Sequence, residues 1–153
     1  MKILIAIDDS PCSTLALDSV AQRHWPKGAQ FQIIMIVEPI VYDYSYALSA
    51  KLASALTEAN TEFRDYCDQL VKTKVNQFKK STGHVDVAGK IIDGLVTDSI
   101  LQEATNWDAD LIVLGSHGRK GIQKVVLGSV AEKVASHSPC SIEIVKQKER
   151  QHG

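Results

Sequence analysis

The chain has 153 residues, 23% of them charged, and a formal net charge of −1, which suits one folded domain. Near-neutral charge argues against a protein that binds nucleic acid through a general attraction to phosphate backbones. No apolar run approaches the roughly 18 residues that cross a bilayer, and the first apolar stretch is too short for a signal peptide. We therefore expect a cytoplasmic protein that binds small ligands, with no nucleic acid and no membrane among its partners.

Cysteines and histidines give no sign of a metal site. Cys12, Cys67 and Cys140 form no C-x-x-C pair, and the five histidines are scattered along the chain. An odd number of widely spaced cysteines fits reduced thiols in a cytosol better than a disulfide scaffold. We expect no metal ion held by protein ligands alone.

Strand-like and helix-like segments alternate along the chain. Predicted strands cover residues 2–7, 31–37, 85–92, 111–115 and 141–145. This alternation is typical of a parallel sheet with helices on both faces and right-handed crossovers. Neither a linker nor an internal repeat divides the chain, so we expect one domain over residues 1–147, followed by a polar tail over 148–153.

Local signals mark the starts of two helices. Ser10 places a capping hydroxyl before Pro11 at the first helical position, which predicts a helix to about Arg23. Ser129 and Glu132 have the spacing of a capping box, which predicts a helix that begins at this serine.

A long helix is predicted between these two, from about Ser49 to Lys80. Its length exceeds what the sheet needs, so its first turns are expected to overhang the sheet or to break. The predicted packing stripe recurs at spacings of three and four and comprises Leu52, Leu56, Ala59, Phe63, Tyr66 and Leu70.

The composition of the strands predicts which of them lie at the edges of the sheet. Central parallel strands are buried on both faces and consist of apolar runs, whereas edge strands alternate apolar with polar residues. Asp86 and Lys90 interrupt the third strand and Glu143 interrupts the fifth, while the other three are apolar runs. Strands three and five are therefore predicted at the edges of an open, five-stranded parallel α/β sheet, and the order 3-2-1-4-5 satisfies this requirement. Such sheets bind ligands at the carboxyl ends of strands beside a switch point, here between strands one and four.

The most specific functional signal follows the fourth strand. Gly115, Gly118, Gly128 and Ser129 have the spacing G-x2-G-x9-G-S and lead into a helix. Glycine can adopt positive φ and lets a ligand approach bare backbone, and a helix N-terminus favours phosphate. The chain contains neither G-x-x-x-x-G-K-[ST] nor G-x-G-x-x-G, which argues against a P-loop NTPase or a Rossmann dehydrogenase.

At these residues the chain resembles the nucleotide-binding branch of the universal stress protein family, whose hallmark has this glycine spacing. The segment 1–10 is similar to the family's first strand and Asp-x-Ser turn, although Asp9 stands where many members have glycine. The resemblance implies the same Rossmann-like sheet, as in adenine nucleotide alpha hydrolase-like proteins, and a homodimer. We expect the dimer to form through the edge strand 141–145, whose backbone is open to a twofold mate.

The resemblance implies that the ligand is an adenine nucleotide, ATP or else ADP or AMP, together with Mg²⁺. The expected nucleotide-binding residues are Ala6, Ile7, Asp8, Val37, Gly115, His117, Gly118, Arg119, Gly128, Ser129, Val130 and Ala131. Ala6, Ile7 and Val37 are assigned to adenine on the resemblance alone.

The other expected residues have chemical roles, each with a plainer alternative. Asp8 would accept ribose hydroxyls or hold water on phosphate-bound Mg²⁺, but a carboxylate there could also only stabilise a turn. Arg119 would donate to two phosphate oxygens. His117 is as well explained by a loop-stabilising hydrogen bond, and Ser129 by helix capping.

These features predict an ATP-binding stress-response regulator that acts as a dimeric switch with unidentified protein partners. No positioned base with an orienting third group is evident, so any ATP hydrolysis should be slow. One alternative is a dimeric module that binds no nucleotide, and another is an enzyme that uses an adenine nucleotide. A phosphorelay receiver is less favoured: Asp8, Asp9, Asp93, Ser116 and Lys146 imitate its acid cluster, but a receiver places strand three beside strand one.

Overall fold

The computed structural model describes residues 1–38, 50–84, 86–118 and 127–146. Arg119, the polar tail over 148–153 and the predicted helix start at Ser49 lie outside these ranges. The strands are β1 (Lys2–Ile7), β2 (Gln30–Val37), β3 (Val87–Asp93), β4 (Leu111–Gly115) and β5 (Ser141–Val145). The helices are α1 (Pro11–Ala21), α2 (Ala50–Thr82), α3 (Val96–Asn106) and α4 (Ser129–His137).

The five strands form one parallel sheet in the order β3-β2-β1-β4-β5, which confirms the predicted order and both predicted edges. At the centre, Ile3 of β1 pairs with Phe31 of β2 on one side and with Leu111 of β4 on the other. The chain leaves β1 and β4 toward opposite faces of the sheet, so a crevice opens where their carboxyl ends lie side by side.

Helices cover both faces of the sheet, as predicted. On one face α1 and α2 pack on a core that includes Phe31 and Phe78, which are 1% and 2% exposed. On the other face α3 and α4 pack on a core that includes Ile34 and Ile112, both fully buried. Burial of each such side chain contributes about 1.5–3 kcal/mol of transfer free energy, so both faces hold the sheet in place beneath the crevice.

Helix α1 begins as predicted. The Ser10 hydroxyl accepts a hydrogen bond from the Ser13 N–H at 3.2 Å, and Pro11 occupies the first turn, where its missing N–H costs nothing. The helix ends at Ala21, two residues before the predicted end.

The predicted cap of α4 is wrong. Gly128 occupies the N-cap position, no side chain caps the helix, and Ser129 is already its first residue. The N–H of Gly128 donates to the Ser116 carbonyl at 2.9 Å, which fixes the chain in an extended conformation one residue earlier than expected. Glu132 donates its N–H to the Gly128 carbonyl at 3.0 Å and so continues the helix from that residue.

The long helix α2 is unbroken over its 33 residues, and its N-terminal turns are mostly exposed, which confirms the predicted overhang. The predicted packing stripe is wrong for Leu52 and Tyr66, which remain 46% and 49% exposed, whereas Phe63 and Leu70 pack against the core as predicted. The buried side chains of α2 belong to its C-terminal half and are Cys67, Val71, Val75 and Phe78. Among the described residues, no helix is both long enough and apolar enough to span a membrane.

No local sequence signal marked α3. Its N-cap is Leu95, which has no hydroxyl or carboxylate and makes no side-chain cap hydrogen bond. The turn before it depends on Gly94, whose φ of 153° lies in a region that other residues rarely adopt. A Cβ there would also lie 2.5 Å from the Ser99 hydroxyl.

An ion pair joins α1 to the edge strand β5. The Arg23 guanidinium donates to both carboxylate oxygens of Glu143 at 2.5 Å, and these hydrogen bonds lower the pKa of Glu143 below its ordinary value of 4.5. A lowered folded-state pKa gives stability that is complete above the unfolded pKa and is lost as the pH falls through the folded one.

Substitution Glu143→Gln should therefore lower the free energy of unfolding by roughly 0.5 kcal/mol at pH 7, a modest value because the pair is partly exposed. The difference from the wild type should shrink as the pH falls below 4.5, as measured by urea unfolding across an acid series. Arg23→Gln should give the same loss with the same pH dependence. An equal loss at every pH would show that packing, not charge, links β5 to α1.

Candidate functional site

A cleft of about 790 Å³ opens at the carboxyl ends of β1, β2 and β4. Its apolar lining lies on the face of the sheet that α3 and α4 cover. It includes Ala6, Ile36, Ile100 and Leu114. Its polar lining includes Asp8 after β1 and Glu38 after β2, together with residues of the loop after β4 and of the first turns of α3 and α4. The position agrees with the predicted switch point, and the volume lies within the roughly 300–1,000 Å³ typical of small-molecule sites.

Asp8 leaves β1 at this cleft and is held in a tight turn. Its Oδ1 accepts a hydrogen bond from the Ser10 N–H at 2.9 Å, and the Ser13 hydroxyl donates to its carbonyl at 2.6 Å. Its Oδ2 faces Gly118, since a Cβ built on that glycine would lie 2.9 Å from this oxygen. One carboxylate oxygen thus stabilises the turn, while the other lies against the glycine loop.

The glycines of the loop are required for space and not for positive φ, so the expected conformational role is wrong. The described glycines with positive φ are Gly28, Gly83 and Gly94. A Cβ on Gly115 would lie 2.7 Å from the carbonyl carbon of Cys12, because the first turn of α1 packs directly on the end of β4. A Cβ on Gly128 would lie 3.1 Å from the Ser116 carbonyl oxygen.

Residues 116 and 117 connect three elements around the cleft. Ser116 donates its N–H to the Val145 carbonyl of β5 at 2.8 Å and accepts from the Gly128 N–H at the start of α4. The Ser10 hydroxyl at the start of α1 donates to the His117 carbonyl at 3.4 Å. The His117 Nδ1 lies 3.1 Å from the Ser116 hydroxyl, which is the loop-stabilising contact that the sequence left open.

Two helix N-termini face the same cleft. The first turns of α3 and α4 both line it, and neither helix has a side-chain cap. The leading N–H groups of a helix have no acceptor within the helix, and its dipole is positive at this end. The cleft therefore presents backbone donors from two directions to an anionic ligand.

Most predicted site residues line this cleft together: Ala6, Ile7, Asp8, Gly115, His117, Gly118, Gly128, Ser129, Val130 and Ala131. Val37 does not. Its carbonyl accepts the Gly94 N–H at 3.1 Å and its side chain packs on the α1 and α2 core, while its neighbours Ile36 and Glu38 line the cleft. Arg119 lies outside the described residues.

Sequence reasoning missed one whole wall of the cleft. The lining residues of α3 are Leu95, Val96, Thr97, Asp98 and Ile100. No motif marked these residues. Only the topology could have predicted them, because the helix after a parallel strand starts at the carboxyl edge of the sheet, where the cleft lies. Lys133 of α4 was also missed, although it stands four residues after Ser129 and hence on the same helix face.

The charged side chains among the described lining residues are mostly acidic. Asp8, Glu38 and Asp98 contribute carboxylates, and Lys133 is the one lysine or arginine among the described lining residues. Within the described part of the chain, no group of three or more His, Cys, Asp or Glu side chains is arranged to hold a metal ion. A cation bound here would therefore need oxygen ligands from the bound molecule as well.

The strand order argues against a phosphorelay receiver. Strand β2 separates β3 from β1, so Asp93 at the end of β3 is not beside Asp8. The Asp93 carboxylate instead forms an ion pair with Arg64 of α2. The fold therefore does not bring Asp93 and Asp8 together into the acid cluster of a receiver.

Comparison with known proteins identifies the family. Residues 1–146 match the sequence profile described as "Universal stress protein family". The chain belongs to the universal stress protein family. Among its curated relatives, the universal stress protein Sll1388 of Synechocystis sp. is 29% identical over 155 residues, covering 95% of this chain and 97% of that protein.

Solved structures of this family share the fold. A universal stress protein in complex with cAMP superimposes with a TM-score of 0.66 at 23% identity, covering 95% of this chain and 96% of that chain. A universal stress protein family protein from Arabidopsis thaliana with AMP bound gives a TM-score of 0.60 at 16% identity, covering 97% and 92%. The Rossmann-like α/β architecture predicted from the sequence is thus the architecture of the family.

Proposed function

We propose that this universal stress protein binds an adenine nucleotide, ATP with Mg²⁺ in the working complex, and acts as a dimeric regulatory switch. The observation that carries the proposal is the cleft, which combines an apolar lining with two uncapped helix N-termini and the Asp8 carboxylate. The apolar lining suits a planar base, the helix N-termini suit phosphates, and the Asp8 carboxylate suits ribose hydroxyls. The family members with cAMP and AMP bound support adenine as the base.

The residues present fit Mg²⁺ only in company with phosphate. Mg²⁺ prefers oxygen ligands and retains several waters, and Asp8 supplies one carboxylate at the glycine loop. The other two cleft carboxylates, Glu38 and Asp98, add negative charge that repels a bare polyphosphate. Mg²⁺ would neutralise part of that charge when it is bound, and Asp8 would hold its water ligands.

Hydrolysis in such a site would be slow. The His117 Nδ1 already contacts the neighbouring Ser116 hydroxyl. Asp8 is tied to the Ser10 amide through one carboxylate oxygen. Neither arrangement positions a base on an attacking water, so hydrolysis would depend on polarisation of the phosphates by Mg²⁺ and backbone amides.

The switch would act through the backbone of residues 116 and 117. Ser116 lies in the lining of the cleft and donates its N–H to the Val145 carbonyl at the end of β5. A ligand that shifts this loop would therefore also move the end of the edge strand. The other edge of β5 has no partner strand in the described chain, and pairing with a twofold mate would complete it.

Substitution Ile144→Pro is expected to convert the proposed dimer to a monomer. The N–H and C=O of one strand residue point the same way and alternate along the strand. Since the Val145 carbonyl points to β4, the Ile144 N–H points to the open edge of the sheet. Proline at residue 144 would remove this N–H donor without removing a hydrogen bond to β4. Sedimentation velocity measures the change. Ile144→Ala, which keeps the N–H, is the control and should remain dimeric; a dimer in both variants would rule out this interface.

The binding proposal is tested on the wild-type protein in two steps. Mass spectrometry of the acid extract of freshly purified protein identifies any bound nucleotide. Calorimetric titration of the emptied protein then compares ATP with Mg²⁺, AMP, cyclic AMP and GTP. Bound adenine nucleotide and heat with ATP but not GTP are expected. No bound nucleotide and no heat with any ligand would overturn the proposal and favour a dimeric module that binds none.

A further inference from the structure

Lys133 is a charged side chain of the cleft for which the described residues provide no charged partner. It lies on α4, lines the cleft and forms none of the ion pairs found among the described residues. Lys72 and Lys90 form ion pairs with Asp68 and Glu103, whereas Lys133, like Lys79, forms none among the described residues, and of these two only Lys133 lines the cleft. Among the described lining residues the other charged groups are carboxylates, so this ammonium group is the one that can attract an anionic ligand.

Helix geometry brings this ammonium group toward the start of α4. The Cα–Cβ bonds of a helix tilt toward its N-terminus, so the Lys133 side chain extends back over the preceding turn. That turn contains Ser129, four residues earlier and on the same face, together with the leading amides of the helix. The lysine and the amides therefore act on the same region of the cleft.

Asp98 has the opposite charge and lies on α3, the helix that packs against α4. It lies in the first turn of α3, lines the cleft and likewise forms none of the described ion pairs. Both residues line the same ligand-sized cleft. Attraction to Lys133 and repulsion from Asp98 both increase with the number of phosphate charges on the ligand.

We infer that Lys133 and Asp98 determine how many phosphates the cleft accepts, with Lys133 favouring ATP over AMP and Asp98 opposing it. This inference rests on the proposed binding of an adenine nucleotide. It assigns a selectivity role to two residues outside the glycine motif. Adenosine, which carries no phosphate, should be insensitive to both residues.

The test measures calorimetric affinities of adenosine, AMP and ATP for wild type, Lys133→Met and Asp98→Asn, with and without Mg²⁺. Lys133→Met should weaken ATP about 10-fold and AMP less than about 3-fold, the size expected for one charge-assisted contact. Asp98→Asn should strengthen ATP by about 2-fold, most clearly without Mg²⁺. Lys79→Met is the matched control, because Lys79 is also an exposed helical lysine but does not line the cleft.

The outcomes separate this inference from the binding proposal. If wild type binds no nucleotide, the proposed function fails and this inference fails with it. If wild type binds ATP and Lys133→Met binds it equally well, only the inference fails. An equal loss of affinity for AMP and ATP would also overturn it, since Lys133 would then contact the first phosphate and would not favour ATP over AMP. A weaker salt dependence of ATP binding in Lys133→Met would support direct charge contact.

Discussion

Substitution Gly118→Val should weaken ATP binding by roughly 30-fold or more, which is about 2 kcal/mol. A Cβ at this position would lie 2.9 Å from the Asp8 Oδ2, and valine adds two methyl groups beyond it. The carboxylate has little freedom to withdraw, because its other oxygen accepts the Ser10 N–H at 2.9 Å. Valine would therefore occupy the space between the glycine loop and Asp8, which the nucleotide is proposed to use.

Calorimetric titration with ATP and Mg²⁺ measures this effect, and urea unfolding shows whether the fold survives. Gly118 is exposed, so the free energy of unfolding should stay within about 1 kcal/mol of the wild-type value. Ala88→Val is the matched control, since Ala88 is also exposed but lies on β3 outside the cleft lining. Wild-type affinity in Gly118→Val would show that the glycine loop does not contact the ligand.

Substitution Gly115→Ala should reduce the free energy of unfolding by about 3 kcal/mol, at the upper end of the range for overpacking. The new Cβ would lie 2.7 Å from the Cys12 carbonyl carbon, 2.8 Å from its oxygen and 2.8 Å from its Cβ. Backbone atoms cannot rotate away as a side chain can. Relief would require α1 to move off the end of β4, which would disturb the Asp8 turn and the Ser10 cap.

Two controls isolate this steric effect in urea unfolding. Gly28→Ala places a Cβ in open space at a φ of 79°, so its cost should be only the roughly 1 kcal/mol of backbone strain. The second control is Cys12→Ala in the Gly115→Ala background, which should not restore stability because the clash with the backbone remains. A loss below about 1 kcal/mol in Gly115→Ala would mean that α1 adjusts easily.

The glycines of the G-x2-G-x9-G-S spacing have separate roles. Gly115 is needed because α1 packs against it, whereas Gly118 and Gly128 leave space beside Asp8 and the Ser116 carbonyl. A variant at Gly115 would lose ligand binding through the fold, and a variant at Gly118 would lose it at the proposed site. Measuring stability and affinity on both variants is what distinguishes the two causes.

The sequence alone determined the strands, their order and the place of the cleft. Apolar runs in β1, β2 and β4 against the interrupted β3 and β5 identified the two edge strands, because burial on both faces excludes charged residues from central strands. The family resemblance implied the order of the strands between them. The glycine spacing and Asp8 identified two sides of the same cleft. Local hydrogen-bonding chemistry likewise identified the start of α1 at Ser10, since that cap involves residues three positions apart.

Only the tertiary structure decided features that depend on residues distant in sequence. The cap of α4 lies at Gly128 because Ser116 fixes that residue through a hydrogen bond, which outweighs the local capping pattern at Ser129. The α2 stripe shifted toward Cys67 and Phe78 because the position of the sheet, not helical periodicity, selects which turns are covered. The α3 wall, and the presence of Lys133 and Asp98 in one cleft, arise from the packing of α3 on α4. Periodicity and caps are local properties of a chain, whereas the neighbours of a side chain are set by how the elements pack.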